Sequence, residues 1–159
     1  MNPRSFSLLF ALSPLFSALA FADAPMTKPM ISLTAAKSAV SSTAPQSLKG
    51  AAPLVISVVD DGGHLIYLDR SDNVASGMVE ASIRKARTAA IYGFTTKALE
   101  QQIVQGHPGF QNLPEILPME GGVPLLIHGQ LAGAVGVAGG LSPDDGALAE
   151  KISAAIAHP

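Results

Sequence analysis

The chain has 159 residues, 48% of them hydrophobic and 14% charged, which is one-domain length with enough apolar material to bury a core. Ten Lys and Arg against twelve Asp and Glu leave a net charge of −2, which argues against a nucleic-acid binder that works by phosphate neutralisation. The absence of cysteine excludes disulfides, thiolate metal centres and a cysteine nucleophile, and the absence of tryptophan leaves the core to Ala, Val, Leu and Ile.

Part of the apolar content does not belong to the fold. Arg4 precedes an uncharged run from Phe6 to Phe21, and Ala20-Phe21-Ala22 stands before Asp23. A short cationic start, an apolar stretch and an A-x-A-like cleavage site make a signal peptide of residues 1–22. The stretch contains Pro14 and falls short of the ~20 residues of a spanning helix, so no stable membrane anchor is expected. The mature protein is expected to be periplasmic or secreted. Residues 23–30, carrying Pro25 and Pro29, read as an extended leader. A single domain then occupies 31–159.

Thr34 is placed to cap a helix running to about Thr43, with Ala36, Ala39, Val40 and Thr43 on one face and Pro45 as its end or kink. From Leu54 the period changes. LVISVVD and LIYLDR, joined by Asp61-Gly62-Gly63, predict a hairpin, with Asp60 and Asp61 as turn-formers and His64 at the turn. MVEASIRKARTAAIYG is the strongest helical stretch, with a stripe of Val79, Ile83, Ala86 and Ala90, a Glu80–Arg84 pair outside, and Gly93 as its stop. A second helix is predicted over Thr96 to Val104. The segment from Gly106 to Gly122, with three prolines and four glycines, reads as a long irregular loop, and such loops are usually functional or a lid.

VPLLI and LAGAVGVA then predict a second hairpin, in which glycines at 133, 136 and 139 admit close packing on the second strand. In the last helix Ser142 serves as N-cap, Pro143 as N1, Asp144 and Asp145 suit the positive end, and Leu148, Ile152 and Ile156 form the stripe. Hairpins interleaved with helices give an α+β class: an antiparallel β-sheet flanked by helices.

Familiar catalytic motifs are missing. GAVGVAGG lacks the Walker Lys-Ser/Thr and does not open a helix as G-x-G-x-x-G does. No G-x-S-x-G or H-E-x-x-H occurs, and the four histidines have no i, i+4 pair. In combination, however, VVDDGGHLIYLDR, KARTAA, LPMEGGVPLLIHGQLAGAVGVAGG and the SPDD helix start resemble the GlcG/HbpS family of haem-binding and haem-degrading proteins. The resemblance covers roughly Ile31 to Ala157. It implies a profilin-like or Roadblock-like sandwich, a homo-oligomer and, in secreted members, haem binding linked to oxidative-stress sensing through a partner sensor kinase. For this chain it implies haem b as the cofactor. Other members sit in glycolate or diol operons, which implies the alternative of an accessory enzyme or sensor for a small carboxylate or aromatic small-molecule partner.

Haem takes an axial donor, apolar contacts for its faces, and donors for its propionates. His107 is the first candidate iron ligand, because it lies in the Pro/Gly-rich loop beside Phe110 and Leu113. His64 is the second, because it lies in the most family-like segment, although a turn position also suits a solvated histidine. Lys85 and Arg87, in the KARTAA helix, are candidate propionate partners, against the alternative of a solvated helix face. His128 in a hairpin turn and His158 beside the C-terminus read as bystanders. Gly121 and Gly122 read first as a backbone turn.

Overall fold

The computed structural model describes residues 27–47 and 53–158. The predicted signal peptide and the start of the leader lie outside the described residues. The elements follow as α1 (Leu33–Ser47), β1 (Val55–Asp60), β2 (Leu65–Arg70), α2 (Gly77–Tyr92), α3 (Thr96–Val104), a 3₁₀ turn (Pro108–Asn112), β3 (Gly122–Ile127), β4 (Gln130–Ala138) and α4 (Ser142–Ala157). The four strands form one antiparallel sheet in the order β2-β1-β4-β3. Both outer strands are thus hairpin partners, and the centre is the long-range pairing of Val55 with Ala138 through Asp60 with Gly133.

Alternation along the strands separates two faces. Ile56, Val58, Val123, Leu125, Val135 and Val137 join Ala36, Val40, Leu148, Ile152 and Ile156 in the larger core, beneath α1 and α4. On the opposite face Val59 and Ala134 meet Ala86, Ala89 and Ala90 of α2. The predicted stripe of α2 is correct at Ala86 and Ala90, but Val79 and Ile83 are only half-buried, and Ser82, Lys85 and Ala89 lie inside. Close approach explains the rotation. A Cβ at Gly136 would stand 2.1 Å from the Ser82 carbonyl oxygen, so only a helix face of small residues fits there. The glycines of β4 act as the sequence suggests: Gly133 lies against the Val59 carbonyl and Gly139 against that of Pro53.

Two helix starts differ from expectation. Ser32, not Thr34, caps α1, its hydroxyl accepting the Ala35 N–H at 3.1 Å, and the helix continues past Pro45 to Ser47. In α4 the cap position is Leu141, with Pro143 within the first two residues. Asp145 is not an exposed decoration of the positive helix end. It is buried, and its Oδ1 reaches back to accept the Gly140 N–H at 3.0 Å.

The other oxygen of Asp145 meets Lys85. The ammonium lies 3.1 Å from Asp145 Oδ2 and donates to the Val137 carbonyl at 2.9 Å, with both residues 2% exposed. The lysine stem passes Gly121, where a Cβ would come within 2.8 Å of Nζ and 2.5 Å of the Val137 oxygen. Gly121 also adopts a φ of 132°, a left-handed value that favours glycine. The pair therefore links α2 on one face, β4 in the sheet and α4 on the other.

Removing one member of a buried pair strands the other charge, at a cost of about 3–5 kcal/mol. Lys85→Met is expected to lose that much in urea unfolding, and Lys85→Met with Asp145→Asn to recover a substantial part. Gly136→Ala is expected to cost about 3 kcal/mol, because the obstructing atom is backbone.

Candidate functional site

The first hairpin turn is built around one carboxylate. Asp60 Oδ1 accepts the Gly62 N–H at 2.9 Å and the His64 N–H at 2.8 Å, while the Asp60 N–H donates to the His64 carbonyl. The same carboxylate faces the imidazole: His64 Nδ1 lies 3.2 Å from Oδ1 and 3.3 Å from Oδ2. Burial pushes the Asp60 carboxyl up, but the backbone N–H groups of His64 and Gly62 and the His64 ring outweigh it, so Asp60 is held below its ordinary value. Asp61 turns away from this group and pairs with Lys28, fastening the leader to the turn. Asp60 and Asp61 thus both shape the turn, as the sequence suggests, and Asp60 has a further contact that the sequence reading missed. The signal was the D-x-x-x-H spacing, which a tight turn folds back on itself.

Arg87 of α2 reaches this turn. Its Nε donates to the Gly63 carbonyl at 3.2 Å, and Gly63 sits so close that a Cβ would lie 2.7 Å from Arg87 Cγ. Among the described residues no hydrogen bond occupies the two terminal guanidinium nitrogens, which remain available to an anion. Two of the four candidate residues, His64 and Arg87, are therefore neighbours. The His64 side chain is 82% exposed, and Leu65 beside it is 48% exposed.

Lys85 is two residues from Arg87 but faces the other way. Its ammonium is buried and occupied by Asp145 and Val137, so a propionate docked at the surface does not reach it. Arg84 also leaves the predicted pairing with Glu80 and donates instead to the Ile116 carbonyl at 2.8 Å.

His107 is exposed and precedes the 3₁₀ turn Pro108–Asn112. Phe110 of that turn joins Phe94, Ala98, Leu99 and Gln102 around an apolar notch of about 160 Å³. That is smaller than the usual 300–1,000 Å³ of a small-molecule site. The rest of the long segment is not a free lid. Tyr92 Oη donates to the Pro114 carbonyl, Leu117 N–H donates to Thr88 Oγ1, and Arg84 holds Ile116, so α2 tethers the loop at three points.

A second cleft of about 480 Å³ lies between α3 and the start of α4, lined by Lys97, Glu100, Glu120 and Ser142 together with Val104 and Pro143. Lys97 donates to Glu120 Oε1 at 2.9 Å, and Glu100 Oε2 accepts the Glu120 N–H at 2.9 Å. The hydrogen bond to Glu120 raises the Lys97 ammonium above its usual value and keeps it charged. With one cation against two carboxylates, this cleft repels a carboxylate ligand and favours hydroxyl or amine donors.

Known proteins share this arrangement of elements. Residues 31–154 match the family described as "Haem degrading protein HbpS-like". The chain belongs to the HbpS-like family. Protein GlcG of Escherichia coli K12 is 38% identical over 111 residues, spanning 70% of this chain and 83% of GlcG. The crystal structure of HbpS superposes with a TM-score of 0.76 at 26% identity, covering 85% of this chain and 96% of HbpS. PduOC, solved as a complex with haem, superposes at 0.66 and 26% identity over 77% of this chain and 90% of PduOC. Family and neighbours together connect this HbpS-like chain with haem-related proteins, and they match the α+β sandwich expected from the sequence.

If the turn is held as described, Asp60→Ala is expected to lose the acceptor of two backbone N–H groups. Thermal unfolding should register a destabilisation of about 0.5–1.5 kcal/mol, since water can replace the lost acceptor at this exposed turn.

Proposed function

We propose that this protein binds haem b at the first hairpin turn, with His64 as the iron ligand and Arg87 as a propionate partner. The observation that carries this reading is an exposed imidazole next to a turn that Arg87 holds through Nε alone, its terminal nitrogens left over, in a chain of the HbpS-like family. Two of the donors suit the group: an imidazole nitrogen for iron and a planar cation for a carboxylate. His107 has the apolar neighbour Phe110, but the notch beside it is lined by Phe94, Ala98, Leu99, Gln102 and Phe110, without a cation. Bound haem would supply redox and small-molecule ligation chemistry; His64 would hold it and Arg87 would orient it.

Export and assembly complete the proposal. The segment 1–22 directs the chain out of the cytoplasm, and the mature protein begins near Asp23. β2 and β3 are the two outer strands of the sheet, and pairing or covering such strands favours a homo-oligomer. A role in oxidative-stress sensing through a partner kinase fits an exported haem protein.

Haemin titration followed by absorbance tests the reading. The parent protein is expected to develop a Soret band, His64→Ala to lose or shift it, and His107→Ala to retain it. Arg87→Ala is expected to weaken binding about tenfold, equivalent to roughly 1.4 kcal/mol. No Soret change in the parent protein refutes haem binding, and a band lost only in His107→Ala moves the ligand to that loop. Amino-terminal sequencing of the exported protein is expected to begin near Asp23; retention of the full-length chain in the membrane refutes export.

A further inference from the structure

We propose that Asp60 is a positioning residue for His64, fixing the neutral imidazole with its proton on Nδ1 and its lone pair on the outward Nε2. The consequence for iron rests on the reading of His64 as the haem ligand; the ring's tautomer is a property of the protein alone.

Hydrogen-bond chemistry forces the assignment. An ionised carboxylate only accepts hydrogen bonds, and a neutral imidazole carries one N–H. With Nδ1 at 3.2 and 3.3 Å from the two Asp60 oxygens, the proton belongs on Nδ1, and Nε2 is left as a σ-donor. Free histidine in water favours the opposite tautomer, so the turn selects the form that can ligate a metal through Nε2.

The backbone supports the same geometry independently. The ring lies over Gly62, where a Cβ would stand 2.9 Å from Nδ1 and 3.0 Å from Cε1. The absence of a side chain at 62 leaves the imidazole its place above the turn. The Gly62 and His64 N–H groups hold Asp60 Oδ1 from below, so the carboxylate does not swing away from the ring. A carboxylate behind a ligating histidine fixes ring orientation and raises the basicity of the ligand, and losing it typically costs 10–100-fold in metal affinity.

Asp60→Asn separates this role from the turn. An asparagine keeps one oxygen for the two backbone N–H groups and places an NH₂ donor where the second oxygen stood. The retained oxygen, 3.2 Å from Nδ1, is no longer charged, and the new NH₂ competes as a donor, so the preference for Nδ1–H weakens and the Nε2–H form gains. Long-range ¹⁵N–¹H NMR of the imidazoles, on the haem-free protein at pH 8.5, reads the tautomer directly. The parent protein is expected to show His64 protonated predominantly at Nδ1, and Asp60→Asn to show a clearly larger Nε2–H fraction. Gly62→Ala, which displaces the ring without altering any charge, is expected to lose the Nδ1–H preference while still melting cooperatively. In haemin titrations Asp60→Asn is expected to bind 10–100-fold more weakly than the parent.

A parent His64 protonated at Nε2 overturns the proposal, as does an unchanged tautomer in Asp60→Asn. Nδ1 protonation in a parent protein that binds no haemin supports the positioning role and refutes the haem reading instead. Haemin affinity equal in parent and Asp60→Asn, with the tautomer shifted toward Nε2–H, overturns the part of the proposal that concerns iron.

Discussion

The ion pair between Lys85 and Asp145 is the contact on which the layers of this protein depend. A lysine in the middle of a helix face that packs on a sheet has to carry its charge somewhere, and here it crosses the end of the sheet to reach the opposite helix. Everything near its course is shaped to let it pass: Gly121 and Gly122 carry no side chain, the Val137 carbonyl turns toward the ammonium, and α4 begins where its fourth residue can answer the charge. Such a pair adds little net stability over well-packed apolar residues, since desolvation offsets most of the attraction. What it does define is alignment. Two helices on opposite faces of a sheet share no direct packing, and this contact sets one against the other.

That alignment fixes the candidate site at second hand. Lys85 and Arg87 leave α2 in different directions, one inward and one toward the first hairpin turn. Because Lys85 anchors the rotation of α2, Arg87 is delivered to Gly63 and the turn that holds His64. The buried residue is thus structural and its neighbour two positions on is free for ligand work. A polar run that reads as one solvated face is divided by the fold into two roles.

Much of the architecture was legible because it is local. Both hairpins follow from β-branched runs broken by glycine-containing turns; α3 begins and ends where its periodicity does; and the Leu148, Ile152 and Ile156 stripe of α4 is fully buried. What escaped is non-local. Nothing in KARTAA says that its lysine will meet an aspartate in the last helix, and Asp145 in a first turn has an ordinary local explanation. The turn of α2 was misread by the same logic, because large residues at Val79 and Ile83 outweigh alanines in a periodicity count, whereas the glycines of β4 demand the alanines. At the site, His64 and Arg87 were recognisable as candidates, but their adjacency comes from the packing of α2 on the sheet. The contact from Asp60 to the imidazole follows only from the detailed path of the turn.

The strand order has a consequence in time as well as in space. The two hairpins are local and can form as soon as their own residues are available. The sheet, however, is joined at its centre by β1 and β4, so Val55 must find Ala138 across most of the domain. Contacts of such long sequence separation close slowly, since the intervening chain surrenders its freedom before they reward it. During synthesis the first hairpin therefore waits, with one edge of β1 unpaired, until β4 has emerged. The sheet closes at its centre only once β4 is available to β1.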